Sequence, residues 1–138
     1  MRKVLSVLCI LVLLASVAHA EKDTRTLNLS VWDRIKIVQF LPQRASFEDA
    51  VLAQDIKDNV ELTQEEMSEY NVRSEGSAIL WDQKGQEEKP FQFTYLEMEL
   101  LKKTIDEMSR KKEISVDEKT LALIKKIKAA PQEEAKDD

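Results

Sequence analysis

The sequence predicts a small α+β domain dominated by helix, with about five short helices and one β-hairpin between the third and fourth. Three observations predict it. Five Ser or Thr residues that stand three positions ahead of an Asp or Glu each open an apolar-periodic run. Two runs of strand character flank Asp82-Gln83-Lys84-Gly85. And 138 residues, 43% hydrophobic and 34% charged, match one compact domain with a charged surface. That balance is too apolar for a disordered chain and too charged for a membrane bundle.

In chain order, the first helix is expected over Val31 to Leu41, ahead of Pro42, with Ser30 and Asp33 as its cap pair. Val31, Ile35, Val38 and Leu41 make its inner stripe, and Trp32, Ile37 and Phe40 a second apolar face. The second, Phe47 to Asn59, opens on Ser46 and Asp49 and turns Phe47, Ala50, Val51 and Ile56 inward. A short third helix, Gln64 to Tyr70, opens on Thr63 and Glu66. Val72 to Trp81 and Glu87 to Phe93 then read as paired strands, closed by a type I turn with a left-handed bulge at Gly85. In that register Ile79, Trp81, Phe91 and Phe93 share one face. The fourth helix, Tyr95 to Arg110, carries the stripe Met98, Leu101, Ile105 and Met108 behind Thr94 and Glu97. The fifth, Val116 to Lys128, opens on Ser115 and Glu118 and buries Leu121, Ile124 and Ile127.

Residues 1–20 have the layout of a cleaved secretory signal peptide. Arg2 and Lys3 precede an apolar run from Val4 to Val17, and Ala18-His19-Ala20 supplies small residues at the cleavage site. The run is short of the ~20 residues that span a bilayer. Cys9 lies inside it rather than at the cleavage point, so it reads as a leader residue and not as a lipid anchor. The expected organisation is therefore a leader over 1–20, a flexible segment over 21–29, one globular domain over 30–130, and a charged disordered tail over 131–138. Cleavage would leave 118 of the 138 residues, with no Cys and no His; with Arg2 and Lys3 gone, 19 basic groups face 26 acidic ones. No transmembrane segment is expected in that product.

Those losses remove whole chemistries. Zinc, haem and copper sites draw mainly on His and Cys, and Ser-His-Asp or Cys-His arrangements need an imidazole. No metal or other cofactor is expected. Carboxylate pairs are abundant, at Glu65-Glu66, Glu87-Glu88, Glu97-Glu99 and Glu133-Glu134, but no spacing singles out a catalytic pair. Capping accounts for Glu66, Glu97 and Glu118. The Asp82 to Glu88 turn lacks the ligand spacing of a calcium loop, with Lys84 in a ligand position and Gly85 too early. Asn28-Leu29-Ser30 is a glycosylation sequon whose Ser reads as a cap.

Helix, helix, short helix and hairpin is also the order of a winged helix-turn-helix. The third helix would be its reading helix, yet it carries Glu65, Glu66 and Glu69 with no Lys or Arg, so no nucleic-acid partner is expected. Lys125, Lys126 and Lys128 read as offsetting the dipole at a helix end rather than as a lipid contact. What remains is a surface for a protein partner, expected around Trp32, Tyr70 and Trp81, since Trp and Tyr are favoured interface anchors. The expected protein is an exported, non-enzymatic binding module of the periplasm or cell envelope. A carboxylate-based cell-wall glycan hydrolase and a winged-helix nucleic-acid-binding fold are the alternatives.

Overall fold

The computed structural model describes residues 24–129. The expected leader and charged tail lie outside them. Among the described residues the chain is α+β, with five α-helices and two small antiparallel ribbons. The elements in order are β1 (Thr24–Leu29), α1 (Val31–Phe40), α2 (Phe47–Val60), α3 (Gln64–Glu69), β2 (Arg73–Glu75), β3 (Ala78–Leu80), a 3-10 turn (Gln83–Gln86), β4 (Lys89–Thr94), α4 (Tyr95–Arg110) and α5 (Glu118–Ala129).

Of the flexible entry segment expected over 21–29, residues 21–23 lie outside the described residues, and β1 corrects the expectation over Thr24–Leu29. Its Thr-Arg-Thr-Leu-Asn-Leu sequence alternates, and it pairs antiparallel with β4, Thr24 opposite Thr94 and Leu29 opposite Lys89. Leu27, Leu29 and Phe93 turn to one face and are buried, while Thr26, Asn28, Pro90, Gln92 and Thr94 face solvent. The expected hairpin is corrected with it. A hairpin does lie between α3 and α4, but it is β2–β3, closed at Gly76-Ser77. Gly76 has a φ of +62° and Ser77 is not left-handed, the pattern of a type II′ turn. Asp82 to Gly85 does close an i to i+3 hydrogen bond, of 3.0 Å, but inside the 3-10 turn. Gly85 is not left-handed. Ile79 and Trp81 therefore do not share a ladder with Phe91 and Phe93, and Ile79 is 46% exposed. A winged-helix wing made of the 72–81 and 87–93 strands does not form.

Four of the five expected cap residues do cap. Ser30, Thr63 and Thr94 form reciprocal boxes with Asp33, Glu66 and Glu97, whereas Ser46 only accepts from the Asp49 amide. At α5 Asp117 replaces Ser115: its carboxylate accepts from the Thr120 amide at 2.8 Å and the Thr120 hydroxyl at 2.7 Å. The α4 stripe is as expected, with Met98, Leu101 and Ile105 buried and Met108 partly so. In α1 the deep face is Val31, Ile37 and Phe40, with Ile35, Val38 and Leu41 half-buried. In α2 it is Ala53, Ile56 and Val60; Phe47 is 80% exposed. In α5 Leu123, Ile124 and Ile127 are inside and Leu121 is at the rim.

Two polar ties fix α2 against β4 and α4. Asn59 Nδ2 donates to the Gln92 carbonyl at 2.7 Å, and Lys103 Nζ reaches Asp49 at 2.9 Å. A third, Lys128 to Asp106 at 2.8 Å, links α5 to α4.

Candidate functional site

The start of α1, the β3 strand with the turn after it, and one face of α5 enclose a cleft of about 430 Å³. Trp32 and Trp81, the two tryptophans of the sequence, both line it and are half-buried. Trp32 comes from the first turn of α1, which the Ser30–Asp33 box holds with bonds of 3.0 and 3.2 Å. Lys36 lies 5.8 Å from its ring centroid. Trp81 is set by the turn that follows it, where buried Gly85 lies under the indole. A Cβ there would fall 2.7 Å from Trp81 Cδ1 and 3.0 Å from Val31 Cγ2. Glycine at 85 is thus required by close approach rather than by a left-handed backbone. Ile79 and Leu80 add an apolar lip.

The floor of the cleft is charged and internally matched. Lys126 Nζ donates to the Asn28 carbonyl at 2.7 Å, to Glu88 Oε1 at 2.8 Å and to Asp33 Oδ2 at 3.5 Å. Burial works against the ammonium, but the Glu88 hydrogen bond and the Asp33 charge outweigh it and hold the pKa above the ordinary lysine value. Lys119 completes the α5 wall. An indole pair over a neutralised polar floor suits a ligand with an apolar body and a polar backbone.

Tyr70 does not join the tryptophans. It caps α3 and is 3% exposed, so it offers no surface. It works from behind: its carbonyl accepts from the Asp82 amide at 2.8 Å, tying α3 to the segment that carries Trp81. Lys89 Nζ lies 5.1 Å above its ring.

A second polar cluster escaped the sequence reading. Arg34 is 4% exposed, and its guanidinium makes a two-pronged bond to Glu66 at 3.0 and 2.8 Å. It also donates to the Val60 carbonyl at 2.7 Å and the Glu61 carbonyl at 2.9 Å, and stacks 4.7 Å from the Phe91 centroid. The Arg34 hydrogen bonds, opposed by burial, hold the Glu66 carboxyl down at about 2. Four of its five N–H donors are committed to the protein, so the cluster is a clamp joining α1, α2, α3 and β4. The Arg–Glu pairing spans 32 residues and leaves no local sequence signal. Lys126 is a similar case, 98 residues from the Asn28 carbonyl that it caps.

Among the described residues no group of three or more His, Cys, Asp or Glu could hold a metal ion. No described helix is long and apolar enough to cross a membrane. No protein-family model, curated protein or solved structure matches the chain.

Proposed function

We propose that this chain is an exported, non-enzymatic binding module of the periplasm or cell envelope, and that the Trp32–Trp81 cleft receives a segment of a protein partner. One observation carries the reading. Two tryptophans 49 positions apart converge half-buried on one cleft, beside a 46% exposed Ile79, where burial in a core would have hidden them. Large, stiff aromatic surface of this kind gains most from being covered. Support for export comes from residues 1–20 alone.

Both tryptophans of the sequence line the cleft, so intrinsic fluorescence reports on its occupancy directly. A partner captured from an envelope fraction should shift and sharpen the emission of the purified chain. Trp81→Ala and Trp32→Ala should each weaken capture at least tenfold while the circular dichroism is unchanged. If both variants keep the fold and bind as before, the cleft is not the contact surface.

The hydrolase reading retains one supporting feature, because Asp33 and Glu88 share the cleft. Lys126 sits between them and the Ser30 amide holds Asp33, so the pair is engaged in structure. Release of reducing sugar from cell-wall glycan, abolished by Glu88→Gln, would reinstate that alternative.

A further inference from the structure

The β1–β4 ribbon has two outer edges, and they are treated differently. In an antiparallel pair, opposed residues alternate between those that exchange both backbone bonds and those that turn N–H and C=O outward. Pro90 has no N–H and stands opposite Asn28, so that pair belongs to the outward class, together with Thr26–Gln92 and Thr24–Thr94. The bonds made at the edges agree: the Asn28 carbonyl accepts from Lys126, the Gln92 carbonyl from Asn59, and the Thr94 amide donates to Glu97 at 2.8 Å.

On β4 the outer edge is blocked on both sides of Gln92, leaving only the Gln92 amide and the Pro90 carbonyl. Pro90 presents no donor, Asn59 occupies the Gln92 acceptor and Glu97 takes the Thr94 donor. On β1 it is open. The Thr26 amide and carbonyl and the Asn28 amide face outward from exposed residues, and have no protein partner among the described residues. That edge also leads into the cleft. Lys126, seated on the outward Asn28 carbonyl, lines the cleft, as does Ser30, two residues further on.

We infer that the outer edge of β1 is a strand-addition site, at which an extended segment of the partner pairs with Thr26 and Asn28 and then lays a side chain between Trp32 and Trp81. The inference rests on the binding reading of the cleft and gives its ligand a conformation. Backbone donors and acceptors at alternate positions recognise extended polypeptide, while the indole cleft recognises the apolar side chain that follows. A second copy of this chain fits poorly. Self-pairing about Thr26 sets Asn28 of one copy against Thr24 of the other. The carbonyls that this pairing needs at its ends are both taken, Asn28's by Lys126 at 2.7 Å and Thr24's by Arg25 at 3.2 Å, so only the two bonds of the central Thr26 pair could form.

The test uses protein purified from expression of the full 138-residue chain and, as probe, random twelve-residue peptides displayed on phage. Enriched peptides are synthesised and titrated by tryptophan fluorescence against wild type, Thr26→Pro and Trp81→Ala. The Thr26 amide faces away from β4, so proline there removes no ladder bond, as Pro90 already shows across the ribbon. The expected result is a tenfold or greater loss with Thr26→Pro, and an equal loss when alternate peptide amides, in one phase only, are N-methylated. N-methylation acts on the peptide, so it decides the matter even if Thr26→Pro unfolds. Slower hydrogen exchange at the Thr26 and Asn28 amides in the complex should accompany it.

Peptides that tolerate N-methylation at every position, or a selection that enriches none, would overturn strand addition. So would sedimentation showing a dimer abolished by Thr26→Pro, since the occupant would then be a second copy. Loss with Trp81→Ala but not with Thr26→Pro or N-methylation leaves the cleft standing and removes the edge. The converse pattern removes the cleft and keeps the edge.

Discussion

At the scale of single residues, the strongest energetic commitment is the Arg34–Glu66 pair. A buried ion pair stripped of one partner costs far more than the pair contributes, because the remaining charge stays desolvated. Arg34→Met should therefore lower stability by about 3 kcal/mol in denaturant unfolding, and Arg34→Lys should recover little, because an ammonium cannot serve two carboxylate oxygens and two carbonyls in one plane. The same pair sets an acid response. Glu66 is held near 2 when folded against an ordinary 4.5, so its contribution is complete above about 4.5 and is lost as pH falls toward 2. After allowance for solvent screening the loss should be about 2 kcal/mol. Wild-type stability should fall over that window, while Glu66→Gln, already weakened at neutral pH, should show a flatter slope. Gly85 is the other critical single residue. A methyl group there collides with Trp81 and Val31, so Gly85→Ala should cost about 1–3 kcal/mol and shift the tryptophan emission as the indole is displaced.

At the scale of elements, what was legible in the sequence depended on how local the determinant is. Helix starts were legible because a cap hydroxyl and its acid lie three residues apart, and the α4 range and stripe followed from the same short-range pattern. The Ser115 assignment failed because Asp117 and Thr120 offer the same spacing two residues later, with two bonds to the carboxylate instead of one hydroxyl acceptor. Ser115→Ala should accordingly change the melting midpoint very little, whereas Asp117→Ala should cost about 1 kcal/mol. The hairpin was misplaced for a related reason. Gly76-Ser77 is a two-residue loop signal, but it lies among short strands whose exposed residues give no alternation, and Gly85 drew the turn toward itself. The faces of α1 and α2 were set by neighbours rather than by period. Arg34 is drawn inward by Glu66 and two carbonyls, which rotates Ile35 to the margin, and Phe47, the first residue of α2, is left 80% exposed.

For the molecule as a whole, the long-range pairings are what the sequence could not display, and they decide both fold and site. Trp32 and Trp81 were visible as anchors, but their convergence depends on β4 leaving the hairpin to pair with β1, 60 residues away at the Leu29–Lys89 end. The status of residues 24–29 is therefore the sharpest whole-molecule test. A flexible entry segment could be trimmed at no cost. As a strand it holds Leu27 at 4% and Leu29 at 1% exposure, each worth about 1.5–3 kcal/mol of burial. Its loss would also strip the backbone partners from β4, take the Asn28 carbonyl from Lys126 and open the core above Phe93. Against a total stability of about 5–15 kcal/mol, that loss leaves little or none. A chain begun at Ser30 should show no cooperative unfolding transition in urea, while Leu27→Ala alone, costing about 2–5 kcal/mol, should keep a transition at lower midpoint. A chain begun at Ser30 that unfolds with the wild-type midpoint would remove β1 from the fold and, with it, the edge on which strand addition depends.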